Sequence, residues 1–552
     1  MPTLKLLLTP SLACEAANQC INVRITLDVP GFEQDAILFH HILSRGPIKT
    51  MQYTSDALHI RDALGPVQVH HEDSGRRRFR EFLVDRDVPP GELTIEYQAL
   101  PWKPTETSPC GPQIAIERDG GGLTGAGMAF ILRPDLDMVM DITVEWDLSS
   151  TPPGTQAACS LGEGTMVSAK VKPDVLDECF FAVGSLHSYP PLGTSGKFGM
   201  YWLENPSFDA PALGRQMESL IPIIAAFFHD QDLTYRIFIR RNIQKCVSGR
   251  GLYRGFVFAW TTVVPRDQDE IVEFLMHETV HNWPRLGFSG DYPTPEELAD
   301  GWFNEGIAEY YSIILPYRFG IFSEQELIRR LNIRISGYYT NPDLEVKNKD
   351  VQDRFWNGGH VNRIPYQRGF MYFMQLAYKL KKANARSLDN IILDMVDLRR
   401  RGKPHGIIVW LHLIAVELGP SVDNEYRFMA DAHLIILPSD VLQITESLNW
   451  TLEMQRQEPF YLGFPEECLT ANPPVVKLLD PDSRAAEAGV REGDVVTRQY
   501  SFFVVAERWG QNFSMNVKRK NDEGIEELKT IEWWPRSRET VESYQFVARS
   551  EA

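Results

Sequence analysis

The chain has 552 residues, 43% hydrophobic and 24% charged, a globular composition with material for several cores. Its 56 Lys and Arg face 74 Asp and Glu, and a net charge of −18 makes a poor partner for polyanionic nucleic acid. No stretch reaches the roughly 20 apolar residues of a membrane span, and seven cysteines without a close pair predict reduced thiols in the cytosol.

Residues 1–170 read as β-rich. Lys5 and Leu6-Leu7-Leu8, broken by Pro10, predict a first strand in place of a signal peptide. Ile21 to Leu27 alternates apolar and polar residues, and Leu93 to Tyr97 and Met138 to Met140 continue the pattern between Pro and Gly punctuation. The expected domain is a β-sandwich. The basic runs Arg76-Arg77-Arg78 and Arg399-Arg400-Arg401 are short and separate, and read as solvated faces. Residues 171–320 mix types: a helix over Pro211–Phe228, strands over Leu233–Ile239 and Gly255–Val264, then two helices. From 321 to 455 the pattern is helical, at Glu324–Ile335, Phe370–Lys382, Leu388–Arg399 and Ile407–Leu418. Residues 456–552 return to strand patterning, at Asn516–Arg519 and Leu528–Glu532. The fold class is therefore multidomain α+β.

The most informative stretch is His277-Glu278-Thr279-Val280-His281. On a helix its two imidazoles lie one turn apart on one face, a pair that grips Zn²⁺, and the intervening Glu can take a proton from water. Ile271 to Met276 leads in with apolar residues, and neither Pro nor Gly interrupts the run before Pro284. A zinc site needs a third ligand. Asp300-Gly301-Trp302-Phe303-Asn304-Glu305-Gly306-Ile307-Ala308-Glu309-Tyr310-Tyr311 reads as a second helix, with Glu305 24 residues beyond His281. The interval holds Pro284, Gly287, Gly290, Pro293 and Pro295, so the chain can turn back.

These segments resemble the gluzincins, zinc hydrolases with two His and one Glu as ligands. Trp302-Phe303-Asn304-Glu305-Gly306 is similar to the W-[LF]-[NS]-E-G-F motif of zinc aminopeptidases. The longer loop is nearer in character to the glycyl-aminopeptidase family, which joins a β-sandwich, a gluzincin core and a C-terminal PDZ domain. The resemblance implies one Zn²⁺ per chain on His277, His281 and Glu305, with Glu278 as general base, in a thermolysin-like catalytic domain (171–320). A helical domain (321–455) would follow it. Pro365-Tyr366-Gln367-Arg368-Gly369 resembles the Y-[EQ]-K-G segment whose Tyr donates to the oxyanion; Tyr366 lies 61 residues past Glu305, and Arg368 stands for the usual Lys. Asp300 and Glu309 are candidates to accept from the other ring nitrogen of a ligand His, and Asn304 to brace the ligand Glu.

The amine anchor departs from the pattern. Where the family has a Glu before the zinc helix, Gly251-Leu252-Tyr253-Arg254-Gly255 puts Tyr253, followed by Arg254. A cation there repels an ammonium and suits an anionic group; a solvated strand-end Arg is the plain alternative. Downstream, Phe460-Tyr461-Leu462-Gly463-Phe464 resembles the carboxylate-binding loop of PDZ domains. Asp480 to Val496 resembles their small-residue helix and turn. A PDZ-like domain over 456–552 implies a C-terminal peptide as a partner, against a purely structural wing. Three functions stand open. The first is a zinc peptidase of aminopeptidase type acting on peptides. The second is a gluzincin hydrolase acting on a small metabolite or epoxide, since one aminopeptidase relative does epoxide chemistry. The third is an inactive PDZ-bearing scaffold, against which the complete ligand set argues.

Overall fold

Period-two alternation organises the start of the chain. Thr3–Ser11 and Cys20–Val29 pair antiparallel with alternate side chains buried, and Gly91–Ala99 adds to the far side of Cys20–Val29. The computed structural model describes residues 1–549 apart from 13–18, 75–78, 106–107, 110, 195, 244–247, 262–267, 289–293, 356–359, 472, 498–510 and 521–523. It divides into two units, residues 1–226 with 230–272, and 227–229 with 273–552. The basic run Arg76-Arg77-Arg78 and the cysteines Cys14, Cys110 and Cys246 lie outside the described residues. Cys20, Cys159, Cys179 and Cys468 are free and buried. No helix among the described residues is long and apolar enough to cross a membrane.

In the first unit, a seven-stranded sheet centred on Thr3–Ser11 and Cys20–Val29 shares one apolar core with the sheet that contains Ile37–Ile42 and Phe79–Val84. Leu6, Ile25 and Ile95 enter it from the first sheet, and Phe39 and Phe82 from the second. The strand expected at Met138 begins later, at Met140–Trp146, because Met138 and Val139 are exposed. A further five-stranded sheet sets Phe198–Trp202, Tyr235–Arg241 and Gly255–Trp260 side by side and parallel. Their near-continuous burial is what strands covered on both faces require. Tyr235–Arg241 starts two residues later than expected. Asp230 and Asp232 each accept from the backbone N–H two residues on, and these turns use up the preceding segment. Helix α1 spans Ala210–Phe227.

The division between units falls inside helix α2, Gln268–Val280. In the second unit, α3 (Pro295–Leu298) opens on a capping box in which Thr294 and Glu297 exchange hydrogen bonds. Next come α4 (Gly301–Arg318), α5 (Glu324–Tyr339), α6 (Asn348–Arg354), α7 (Ile364–Lys382), α8 (Leu388–Arg400) and α9 (Ile407–Leu418). Ser323 and Ser387 cap α5 and α8 by accepting from the backbone N–H three residues on.

α4 and α7 cross with their backbones almost touching. A Cβ on Gly306 would overlap Gly369 Cα, and a Cβ on Gly369 would overlap the Trp302 carbonyl oxygen and lie 2.7 Å from Gly306 Cα. Two facing glycines thus set how closely Glu305 and Tyr366, each near its own glycine, can approach. Around the crossing, Trp302, Phe303, Phe373 and Trp410 pack with ring centroids 5.0–5.8 Å apart.

After α9 the chain reaches a two-stranded ribbon, Trp450–Gln457 with Val541–Ala548. Between these strands lies a segment with its own core, including Phe460, Leu462, Leu469, Val517 and Trp533. Its sheet pairs Phe513–Lys520 with Glu526–Trp533. Gly463 has φ +94°, and a Cβ there would lie 2.6 Å from Ser483 Oγ and 2.9 Å from Ala485 Cβ, so a short helix, Arg484–Glu487, sits against this turn.

Gly306→Ala should force α4 and α7 apart. Overpacking of this kind costs about 1–3 kcal/mol, readable as a lower midpoint in urea unfolding, whereas Gly301→Ala at the start of α4, where a Cβ would meet nothing nearer than 4.0 Å, should leave the midpoint unchanged or raised.

Candidate metal centre

α2 carries His277 and Glu278, and His281 follows directly on its last residue. The two imidazoles stand edge to face, with centroids 4.8 Å apart at 88°. Their Nε2 atoms are 3.2 Å apart. Glu305, in the second turn of α4, brings Oε2 to 3.2 Å from His277 Nε2 and 3.3 Å from His281 Nε2. Three donor atoms therefore form a nearly equilateral triangle. Zinc bonds of 2.0–2.1 Å in a tetrahedron put neighbouring ligand atoms about 3.3 Å apart. Spacing and donor chemistry both fit a divalent cation of the zinc type. Among the described residues this is the one group of three or more His, Cys, Asp or Glu with such convergence.

Electrostatics keeps the Glu305 carboxylate ionised. Burial tends to raise the Glu305 carboxyl, but the charges and hydrogen bonds of His281 and His277 outweigh it and hold the group well below the usual carboxylate range. Behind His277, Glu309 lies one turn beyond Glu305 on α4. Its Oε1 is 3.5 Å from His277 Nδ1, and its other oxygen accepts from Arg334 Nε. Burial raises the Glu309 carboxyl and Arg334, with His277, more than reverses this, so it is held ionised.

Tyr366, in the first turn of α7, stacks on the His277 ring at 5.6 Å and 20°. The Arg363 guanidinium sits 4.7 Å from the Tyr366 ring centroid. Burial and then the Glu305 charge push the phenol well above its ordinary value. It is protonated and can donate. Glu278 is half-buried, and its charge acts on both His281 and Tyr366.

The other predicted residues have different surroundings. Asp300 precedes α4, and its Oδ1 accepts from Trp302 Nε1 (3.2 Å) and Tyr426 (2.8 Å). Asn304 Oδ1 accepts from the Leu286 N–H at 3.0 Å, which fastens the loop after His281 to α4. Tyr253 and Arg254 belong to the first unit. The Tyr253 N–H donates to the Glu178 carbonyl at 2.8 Å. Arg254 is held by Asp230 Oδ2 (3.2 Å), Asp232 Oδ2 (3.1 Å) and the Thr234 carbonyl (3.1 Å), so its charge is balanced locally. Arg368 is fully buried, donating to Asn348 Oδ1 (2.6 Å) and the Leu344 carbonyl (2.7 Å).

Sequence reasoning passed over Arg363, Arg334, Glu273 and the two crossing glycines. Glu273 carried a signal, since it precedes His277 by one helical turn. Arg334 carried none, because its partners are remote in the chain.

Residues 270–362, which include α2 and Glu305, match the model of the M61 glycyl aminopeptidase family. No curated protein matches the chain. An aminopeptidase N family protein from Idiomarina loihiensis has a similar fold, with a TM-score of 0.63 over 99% of this chain and 98% of that one, at 13% identity. An M1 zinc metallopeptidase from Deinococcus radiodurans aligns over 79% of this chain and 94% of its own, with a TM-score of 0.46 and 16% identity.

If the triangle is a metal site, purified protein stripped with chelator should take up one Zn²⁺ per chain. Glu305→Ala should weaken uptake by at least about 100-fold, the scale on which even supporting residues act. Titration with a competing chelator reads both; unchanged affinity in Glu305→Ala would remove the site.

Proposed function

We propose that the chain is a zinc metallopeptidase of gluzincin type that cleaves amide bonds near a peptide terminus. The observation that carries it is the 3.2–3.3 Å triangle of His277, His281 and Glu305, within a segment similar to the glycyl aminopeptidases. A divalent cation bound there would supply Lewis acidity and lower the pKa of water towards about 7. Glu278 accepts the proton of the attacking water and delivers it to the leaving amine. Tyr366, kept protonated by burial, donates a hydrogen bond to the oxyanion without adding a formal charge. Glu309 places a carboxylate oxygen 3.5 Å from the Nδ1 side of His277.

In this proposal residues 1–170 are a β-rich part, 171–320 the catalytic part and 321–455 a helical part. The region 456–552 is PDZ-like, supported by the Gly463 turn packed on Ser483 and Ala485, and would take a C-terminal peptide. Free buried thiols suit a cytosolic setting. A second reading keeps the centre and changes the substrate to a metabolite or epoxide. It rests on the sequence: Gly251 to Gly255 holds no carboxylate where the resembled family carries its amine-binding Glu.

Glu278→Gln should keep the metal, by elemental analysis, while turnover falls by about 10²–10⁴-fold, the range of acid–base catalysis. Normal turnover in that variant would remove Glu278 as the base. Tyr366→Phe should lower kcat by about 10²–10³-fold with little change in KM, as loss of one oxyanion donor does. Peptides with free and blocked N-termini separate the substrate readings: cleavage of free ends alone supports an aminopeptidase, equal cleavage an endopeptidase, and no cleavage of either the metabolite reading.

A further inference from the structure

Around His277 the helices are joined by one guanidinium. Arg334, on α5, donates through Nη2 to Glu273 Oε1 at 2.5 Å and through Nε to Glu309 Oε2. Glu273 lies one turn before His277 on α2, and Glu309 one turn beyond Glu305 on α4. Arg334 therefore ties the helix of the paired imidazoles to the helix of the ligand carboxylate. Arg330, one turn earlier on α5 and 1% exposed, pairs with the other Glu273 oxygen and with Glu326 (2.6 Å). The set alternates Glu326, Arg330, Glu273, Arg334 and Glu309, and ends at the Nδ1 of a ligand imidazole. That Nδ1 is buried and has no hydrogen-bond partner among the described residues, with Glu309 Oε1 at 3.5 Å.

α5 is itself anchored from another side. Asn332 donates to the Phe546 carbonyl (3.1 Å) and accepts from the Phe546 N–H (2.7 Å). Ser336 accepts from Gln457 (3.2 Å) and Gln545 (3.3 Å), and Tyr339 packs on Tyr544 at 4.8 Å. The C-terminal ribbon thus keeps α5, and with it Arg334, in place.

We infer that Arg334 is a positioning residue of the metal centre: it aims the Glu309 carboxylate at His277 Nδ1 and so fixes the imidazole with Nε2 towards Glu305 and His281. The inference rests on the metal reading above and names a residue outside the ligand set. An imidazole that binds metal through Nε2 carries its proton on Nδ1 and needs an acceptor there. Glu309 can be that acceptor only while its other oxygen is held by Arg334.

The test is metal affinity and not turnover. Zn²⁺ affinity is measured by chelator competition, and the Co²⁺ form by its visible spectrum, for wild type, Arg334→Met, Arg334→Lys, Glu309→Gln and the double variant Arg334→Met/Glu309→Gln. Arg334→Met should bind Zn²⁺ about 10–100-fold more weakly, the usual effect of removing a group that orients a ligand, and shift the Co²⁺ bands. Arg334→Lys should recover only part, because an ammonium keeps the charge and loses the two-pronged grip. The double variant should be no weaker than Glu309→Gln alone. Wild-type affinity in folded Arg334→Met, or losses that multiply in the double variant, would overturn the inference while leaving the metal site standing. Wild-type protein that took up no metal would overturn the metal reading and the inference together. Should Arg334→Met fail to fold, Glu273→Gln removes the α2 end of the same link, and should weaken Zn²⁺ binding in the same direction; unchanged binding there counts against the inference.

Discussion

Three electron-pair donors on two helices have to meet within about one tetrahedral edge of each other, roughly 3.3 Å, before this protein can hold a cation. Helices α2, α4 and α7 are the elements that meet there. Helix α2 delivers His277 and leaves His281 at its end, so one backbone supplies two donors at no cost in topology. The third donor needs a second helix brought close. Gly306, next to Glu305, removes the side chain that would keep α7 away. Apolar packing of Trp302, Phe303, Phe373 and Trp410 then presses the crossing together.

Such a site concentrates charge where water is scarce. Buried carboxylates are tolerated only with partners, and here each has one. Glu305 has the imidazoles, Glu309 has Arg334, and Glu273 has both Arg330 and Arg334. The alternation of sign leaves no acid of this set uncompensated, and it makes position and charge one problem. The guanidinium that neutralises Glu309 also fixes where its free oxygen points. Tyr366 is placed differently, by ring stacking on His277 and by the guanidinium of Arg363.

Much of the site was legible because it is written in local spacing. Two His four apart on an uninterrupted apolar run could only present one face. Glu305 sat in a helical segment after a Pro- and Gly-rich interval that returns the chain. Tyr366 opened an amphipathic run observed as α7. Asn304, expected to brace Glu305, offers its carbonyl oxygen to the Leu286 N–H in the loop after His281. Asp300 was expected near a ligand His and instead meets Trp302 and Tyr426, since a residue just ahead of α4 sits more than a turn from the ligand carboxylate. Arg254 is absorbed by Asp230 and Asp232, whose turns also shortened the following strand.

Local order in the chain determined the helix and strand types and which side chains carry metal-ligating chemistry, because helical and strand periodicities and residue chemistry act over a few positions. Only tertiary structure decided which buried charges meet. Arg334 is 25 residues from Glu309 and 61 from Glu273, and no period links them; their contact exists because α2, α4 and α5 pack at one place. The same holds for Gly306 and Gly369, small residues whose purpose appears only when two backbones cross there.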